Sequence, residues 1–278
     1  MVLTHGRAAE TAAALTALRA AAARHRVSLL FAPEEADKHG LKAAEGIDVD
    51  AALGCDADLC VVLGGDGSIL TALRAYAGTG VPVFAVNFGE IGFLATVEPD
   101  SLDGAFDRAF TGDFETLDLP AITLACDGRD LTAINDVSVH RRAGGRVADL
   151  GYALAGEEVG RVRCDGLVVC TPAGSTGYNL ANGGPVLAWG VEGFAVSFIA
   201  PHSLTARALV AAPGDLLTLR NSSREEPVEV HVDGRPSGAL QAGESIDVRY
   251  RPGCATLAQL PDATFYRRLR QKFGRLSS

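Results

Sequence analysis

The chain contains 278 residues, of which 47% are hydrophobic and 21% are charged. This is enough apolar material to bury a full core in one large domain or two of ordinary size, which excludes a disordered or fibrous protein. The 34 Asp and Glu residues outnumber the 25 Lys and Arg residues, so the net charge is −9, and a general role in binding nucleic acid is disfavoured. No apolar run approaches the roughly 20 residues needed to cross a bilayer, and the N-terminus lacks the layout of a signal peptide. We therefore expect a soluble cytoplasmic protein without a membrane partner.

The first part of the chain predicts alternating helices and strands. Residues 8–24 consist largely of helix-forming alanine, leucine and arginine, and the short apolar run 27–31 follows them. A second apolar run at 59–63 ends in glycines, residues 69–77 have helical composition, and residues 81–86 are apolar again. Continuous apolar strands separated by helices predict a parallel sheet that is covered on both faces.

The pattern changes after about residue 115. Short strand-like segments now follow one another with turn residues between them, as in 121–125 and 131–140, and no long helix intervenes. This predicts a second domain that is rich in β-structure and mostly antiparallel. The segment 263–273 is helical and basic, which is typical of a solvated helix face. The six cysteines form no CxxC pair and lie mostly in or beside apolar runs, so we expect buried, reduced thiols.

A buried strand runs into a glycine-rich turn at Gly64-Gly65-Asp66-Gly67-Ser68. Parallel sheets place ligands at the carboxyl ends of their strands, and the N–H groups that open the next helix can hold phosphate oxygens. We interpret Gly64, Gly65, Gly67 and Ser68 as candidate phosphate-binding residues. Asp66 beside them is suited to take a proton from a hydroxyl while a phosphoryl group arrives. The alternative is a structural turn in which Asp66 is the N-cap of the helix.

Two further polar clusters follow in the second part of the chain. In Asp165–Asn179 a strand ends in a Pro/Gly turn with hydroxyls, an aromatic ring and an amide, groups that suit ribose hydroxyls and a stacked base. A plain turn followed by a capped helix explains the same residues. Asn135 and Asp136 interrupt the apolar pattern of the strand 131–140, and polar side chains in a strand need partners, which ligand hydroxyls can supply.

Six blocks of the chain, in order and in spacing, resemble bacterial NAD kinases over residues 59 to 238. The GGDG turn also occurs in phosphofructokinases and in diacylglycerol and sphingosine kinases, whereas the GSTxY and PHSLxxR blocks are those of NAD kinases. Three positions depart from the family pattern: Glu90, Asp136 and Gly177. The blocks are Gly64–Gly67, Asn87–Leu94, Ala133–Asp136, Asp165-Gly166 with Thr171–Tyr178, Gly183–Pro185, and Pro201–Arg207.

The resemblance implies transfer of a phosphoryl group from ATP or polyphosphate to the 2′-hydroxyl of the adenosine ribose of NAD, giving NADP. It implies that Asp66 accepts the proton, that Gly67 lies against the dinucleotide and that Phe93 packs on a base. The Asn135-Asp136 pair would contact ribose hydroxyls. We add Arg146 and Arg163 as candidate NAD contacts, with an exposed surface position as the alternative for both. The remaining NAD contacts that the resemblance implies are Asp165, Thr176, Gly177, Tyr178, Asn179, Leu180, Ala181 and Ala200.

The resemblance also implies that the C-terminal helix returns to the first domain. The domains would then be residues 1–115 with 254–278, of α/β class, and residues 116–253, rich in β-structure. A homodimer or homotetramer is expected for the same reason. No His, Cys or carboxylate spacing predicts a protein-bound metal, so Mg²⁺ or another divalent cation is expected to arrive with the nucleotide.

Two alternative functions stay open at this point. One is a lipid or sphingoid-base kinase that uses the same GGDG turn, and the other is a catalytically silent NAD-binding sensor. His140, His202 and His231 are further candidates for catalytic or metal-binding groups. We expect His202 to organise a turn and the other two to be hydrogen-bonded residues of strands.

Overall fold

The computed structural model describes residues 1–89, 92–99, 102, 104–261 and 264–274, and the chain divides into two compact units. The first unit comprises Met1–Asp118 and Ala255–Ser278, and the second comprises Leu119–Cys254. In chain order the elements are β1 (Val2–Thr4), α1 (Ala8–His25), β2 (Leu29–Leu30), α2 (Pro33–His39), β3 (Ile47–Asp48), β4 (Cys60–Gly64), α3 (Asp66–Ala75), β5 (Pro82–Asn87), α4 (Ala105–Thr111), β6 (Glu115–Cys126), β7 (Arg129–Ala133), β8 (Asp136–Arg141), β9 (Ala148–Leu154), β10 (Glu157–Cys164), β11 (Gly166–Cys170), α5 (Tyr178–Ala181), β12 (Phe194–Ile199), β13 (Leu209–Ala211), β14 (Leu217–Asn221), β15 (Val228–Val232), β16 (Arg235–Leu240), β17 (Ser245–Gln259) and α6 (Phe265–Phe273).

The first unit is built on a parallel sheet. Strand β4 pairs in parallel with β1 on one side and with β5 on the other, and β5 pairs in parallel with residues 256–257 of β17. Every residue of β4 is buried, as its continuous apolar sequence predicts. Leu18 of α1 packs with Phe31, Leu63 and Phe84 in the core of this unit. The parallel sheet and the helix predicted at 8–24 are confirmed.

The second unit is antiparallel. One sheet has the strand order β13-β12-β11-β8-β15-β16, and antiparallel pairs also join β14 to β9, β9 to β10, β14 to β17 and β6 to β7. Alternate residues of β8 face opposite sides of the sheet. Val137 and Val139 lie in the main core, which leaves Asp136, Ser138 and His140 on the other face. The prediction of a mostly antiparallel β-rich second part is confirmed.

The prediction of one continuous strand over 131–140 is wrong. The chain forms β7 and β8 with a break at Ile134 and Asn135. The carboxylate of Asp233 accepts the backbone N–H groups of Ile134, Asn135 and Asp136 at 3.2, 2.7 and 3.1 Å. Because one side chain takes all three donors, the break carries no unpaired N–H group.

The C-terminal helix α6 packs in the first unit, as predicted. Thr264 caps it by accepting the N–H of Arg267, and the ring of Phe273 lies 6.0 Å from the ring of Phe93. The predicted helix limit at residue 263 lies outside the described residues. The interpretation of its basic run as solvated holds for Arg267 and Arg270, which are exposed, and is wrong for Arg268, which is only 8% exposed.

All six cysteines are free. The prediction of burial is confirmed for Cys60, Cys126, Cys164 and Cys170 and is wrong for Cys55 and Cys254, which are half-buried. Burial raises the pKa of Cys60, Cys164 and Cys170 to about 12, so these thiols stay protonated at neutral pH. Among the described residues, no helix has the length and apolar character that a membrane crossing requires.

Candidate active site

The glycine turn places Asp66 at the start of α3, directly after the buried strand β4. The helix N-cap is Gly65, and no side chain caps the helix there. The Asp66 carboxylate instead accepts two backbone N–H groups from a distant segment, that of Phe93 at 3.1 Å on Oδ2 and that of Leu94 at 3.4 Å on Oδ1. The interpretation of Asp66 as the N-cap is therefore wrong. Its carboxylate is held from outside its own helix.

The glycines around Asp66 have two kinds of surroundings: Gly64 and Gly65 are closely packed, and Gly67 is exposed. A Cβ on Gly65 would lie 3.2 Å from the Cα of Gly89, and a Cβ on Gly89 would lie 3.0 Å from the Cα of Gly65, so these two backbones pack directly against each other. A Cβ on Gly64 would lie 2.8 Å from the side chain of Ser68. Gly67 is exposed, and apart from its own helix no described segment of the chain lies within 4 Å of an added Cβ. The turn is thus packed on one side and open to a ligand at Gly67.

Electrostatics set the proton affinity of Asp66. Burial raises the pKa of its carboxyl group. The N–H groups of Phe93 and Leu94 and the positive charges of Arg268 and Lys272 act in the opposite direction. The group is thereby a stronger base than a free aspartate while four neighbours favour its ionised form.

The Phe93 side chain, predicted to pack on a base, is buried beside Phe273. Asn87 organises the same region. Its Oδ1 accepts the N–H of Gly89 at 3.0 Å, and its Nδ2 donates to Glu98 at 3.0 Å. Glu90, one of the three departures from the family pattern, lies outside the described residues.

In the second unit, the break between β7 and β8 presents Asn135 and Asp136. The backbone carbonyl of Asn135 accepts the N–H of Thr171 at 2.9 Å, and a Cβ on Gly174 would lie only 2.1 Å from that carbonyl oxygen. Asn135 is thus packed against the turn after β11. Its side-chain Oδ1 is buried and accepts no hydrogen bond from the described part of the chain. A buried acceptor without a donor is costly, and a ligand hydroxyl would remove that cost.

Asp136 is 6% exposed. Burial, and after it the negative charge of Asp233, raise its pKa to about 7. Its carboxyl group is therefore about half protonated at neutral pH, where it can donate or accept a hydrogen bond.

Tyr178, Thr176 and Gly177 follow the same turn and lie at or near the surface. The ring of Tyr178 stacks on His140, with centroids 5.6 Å apart and 20° between the ring planes, and His140 in turn lies 4.9 Å from His231. His140 shares a 2.8 Å hydrogen bond with Ser138, as predicted for a hydrogen-bonded strand residue. Tyr178 remains 38% exposed, and an exposed aromatic ring can stack on a planar ligand.

Asp165 and Asn179 hold structural positions that sequence alone did not reveal. Arg141 donates from Nε to Asp165 at 2.6 Å, which lowers the pKa of that carboxyl group. Asn179 is buried and donates from Nδ2 to the carbonyls of Ser175 and Pro185 at 3.1 and 2.9 Å, so it closes the loop that carries Tyr178.

The remaining predicted contacts lie at the surface or near it. Arg146 and Arg163 are both exposed, the former tied to Glu226 through its backbone N–H at 2.8 Å. Ala200 is exposed, with a left-handed φ of 43° directly after β12. Leu180 is half-buried and Ala181 is exposed, both on α5. In the described ranges, no group of three or more His, Cys, Asp or Glu residues could hold a metal ion.

The first unit thus holds a carboxylate on a glycine turn at the end of a parallel strand, and the second unit carries the polar pair Asn135 and Asp136 beside a glycine turn. The chain matches two family descriptions: "ATP-NAD kinase N-terminal domain" over residues 13–114 and "ATP-NAD kinase C-terminal domain" over residues 134–259. An NAD kinase of Gemmatimonas aurantiaca is 35% identical over 225 residues, which are 78% of this chain and 77% of the relative. An NAD kinase of Heliobacterium modesticaldum is 38% identical over 221 residues, 77% of this chain and 78% of the relative. The chain belongs to the NAD kinase family.

Two solved structures share the fold. Yeast NADH kinase, complexed with NADH, has a TM-score of 0.88 at 23% identity and covers 100% of this chain and 87% of its own. An NAD kinase from Archaeoglobus fulgidus, in complex with ATP, has a TM-score of 0.73 at 22% identity. The match covers 99% of this chain and 97% of the Archaeoglobus chain.

Proposed function

We propose that this enzyme transfers the terminal phosphoryl group of ATP, or of polyphosphate, to the 2′-hydroxyl of the adenosine ribose of NAD, giving NADP. The observation that carries the proposal is the Asp66 carboxylate, fixed by the N–H groups of Phe93 and Leu94 beside the open Gly67. A general base needs a fixed position and a proton affinity above that of a free carboxylate. Burial supplies the second and the two hydrogen bonds supply the first.

Asp66 would take the proton of the ribose hydroxyl as the hydroxyl oxygen bonds to the terminal phosphorus atom. The bond from that phosphorus to the bridging oxygen breaks, and ADP, or polyphosphate shortened by one phosphate, leaves. Each carboxylate oxygen accepts more than one hydrogen bond, so the two backbone bonds leave room for the hydroxyl. The backbone of Gly64, Gly65, Gly67 and Ser68, at the N-terminus of α3, would bind phosphate oxygens. Positioning of the hydroxyl against the phosphorus atom then supplies most of the rate acceleration.

The β-rich unit would bind NAD. We propose that Asn135 and Asp136 contact ribose hydroxyls, for which the unpaired Oδ1 of Asn135 is the support, and that Tyr178 stacks on a base with its exposed face. We also propose Phe93 as a base contact. We propose the two units as the domains of the enzyme. The other proposed NAD contacts are Gly67, Arg146, Arg163, Asp165, Thr176, Gly177, Asn179, Leu180, Ala181 and Ala200.

A divalent cation, Mg²⁺ or another, would enter as part of the nucleotide substrate and would neutralise negative charge on its phosphates. We also propose a homodimer or homotetramer as the working assembly.

The test is an assay that couples product formation to a strictly NADP-dependent dehydrogenase. NAD with ATP, or with polyphosphate, should give a signal. A 3′-phosphate isomer or a phosphorylated nicotinamide ribose should give none, so donor consumption without a signal would contradict the 2′ assignment. Transfer of labelled phosphate to extracted lipid instead of NAD would support a GGDG lipid kinase. Tight NAD binding without any turnover would support the silent sensor.

A further inference from the structure

Helix α6 brings a buried arginine to the segment that holds Asp66. Arg268 is 8% exposed, and its guanidinium donates from one terminal nitrogen to the carbonyl of Phe93 at 2.6 Å and to the carbonyl of Ala95. The other terminal nitrogen donates to Oε1 of Gln259 at 2.7 Å. A planar guanidinium with several fixed donors can hold two carbonyls of one turn at once, which an ammonium group does poorly.

The carbonyls that Arg268 holds and the N–H groups that hold Asp66 belong to the same three residues. Phe93 donates its N–H to Asp66 and offers its carbonyl to Arg268, and Leu94, the second donor, lies between the two carbonyls. Displacement of this turn would move both donors away from the carboxylate. The position of Asp66 therefore depends on a side chain from the other end of the chain.

We propose that Arg268 is a positioning residue for the phosphoryl transfer: it fixes the Phe93–Ala95 turn, and through it the Asp66 carboxylate, in the orientation that accepts the proton. This inference rests on the proposed function. It adds a role for α6 that goes beyond packing within the first unit.

Arg268 has a second effect on Asp66, because its positive charge acts on the pKa of that carboxyl group. The positive charges of Arg268 and Lys272, both of α6, oppose the rise in the pKa of Asp66 that burial causes. Glu98, which follows the turn and accepts a hydrogen bond from Asn87, acts on Arg268 together with Asp66. Loss of Arg268 would leave Lys272 as the cation of α6 acting on Asp66, and Asp66 would hold its proton to higher pH.

The experiment compares R268M, R268K and the matched control R270M, which removes an exposed arginine of the same helix. Steady-state kinetics with NAD and ATP are measured from pH 5 to pH 9, and the titration of Asp66 is followed by ¹³C NMR of labelled aspartate. For R268M we expect kcat to fall about tenfold or more with both KM values within about twofold, and the acidic limb of kcat and the Asp66 titration to move to higher pH. R268K keeps the charge but not the two-carbonyl fork, so its kcat should fall while its acidic limb stays near that of the wild type. R270M should match the wild type.

Two outcomes overturn the proposal. One is a folded R268M with wild-type kcat and an unmoved Asp66 titration, and the other is a uniform loss of kcat at every pH with no movement of that titration, which would show a structural role only. If R268M does not fold, R268K decides, because wild-type kcat in that variant contradicts the need for the fork. A wild-type enzyme that makes no NADP would refute the proposed function, while the NMR titration would still test the link between Arg268 and Asp66.

Discussion

Two carboxylates, Asp66 in the first unit and Asp136 in the second, have surroundings that act on them in different ways. Burial raises the pKa of both. Around Asp66, two backbone N–H groups and two cations oppose that effect. Around Asp136, the nearby Asp233 reinforces it, and the pKa rises to about 7.

The difference indicates a division of labour. Asp66 is fixed and its charge is supported before any ligand arrives, as a proton acceptor requires. In the proposed function, Asp136 would instead contact a ribose hydroxyl, as a recognition residue does. Replacement of either residue separates the two roles, because one change should affect turnover and the other should affect NAD binding.

The largest effect is expected for Asp66→Asn. Asparagine keeps the size of the side chain and one acceptor oxygen but cannot take the proton, so kcat should fall by about 10²-fold or more with a modest change in KM for NAD. Steady-state kinetics check this, with Asp50→Asn, at an exposed position, as the matched control. Near-normal turnover in a folded Asp66→Asn protein would remove Asp66 from its proposed role.

Gly174→Ala should disturb the second unit, where Gly174 packs against Asn135. Its Cβ would lie 2.1 Å from the carbonyl oxygen of Asn135, so the turn must move, at a cost of about 3 kcal/mol in stability. We expect a lower Tm and a higher KM for NAD. Gly190→Ala is the control, since this glycine is exposed and an added Cβ would point into open space among the described residues. Equal Tm values for the two variants would contradict this packing.

Asn135→Ala and Asp136→Ala should each weaken NAD recognition by about 2 kcal/mol, because each removes a polar partner of a substrate hydroxyl. KM values for NAD and for ATP separate this from a general defect. The ATP value should stay close to that of the wild type. Parallel weakening of both substrates would show that the pair supports the fold instead.

The smallest effect concerns stability. The native protein keeps Asp136 protonated up to about pH 7, whereas an unfolded chain ionises near the ordinary value of about 4, so the native state binds more protons in between. The free energy of unfolding should therefore fall as pH rises from about 4 to about 7. Asp136→Asn lacks this titration and should be more stable than the wild type at pH 8 by about 1–2 kcal/mol, after part of the full linkage is lost to burial of the new amide. Urea unfolding at pH 4 and pH 8 measures the difference. A stability gap between the two proteins that is the same at both pH values would contradict the raised pKa.

Local pattern predicts the elements that carry the site but not the contacts that complete it. The apolar run before Gly64 and the glycines after it predict a strand, a turn and a ligand position, because all three depend on neighbours in sequence. The break at Asn135 depends on Asp233, and the hold on Asp66 depends on Phe93, Leu94 and Arg268, all far away in the chain. The sequence predicts Arg268 as one of several exposed cations in the basic segment 263–273, because charge composition does not reveal which of them is buried. Arg141, the partner of Asp165, is missed for the same reason.

The most direct test of the two roles is a ¹³C NMR titration of Asp66 and Asp136 in the wild-type protein, with and without NAD. Without NAD, Asp136 should titrate near pH 7, and the pKa of Asp66 should lie above that of a free aspartate. Addition of NAD should lower the pKa of Asp136, because a ribose hydroxyl donates to its ionised form. Titration of both groups at the value of a free aspartate, or an Asp66 that is still protonated where the enzyme turns over, would contradict the account.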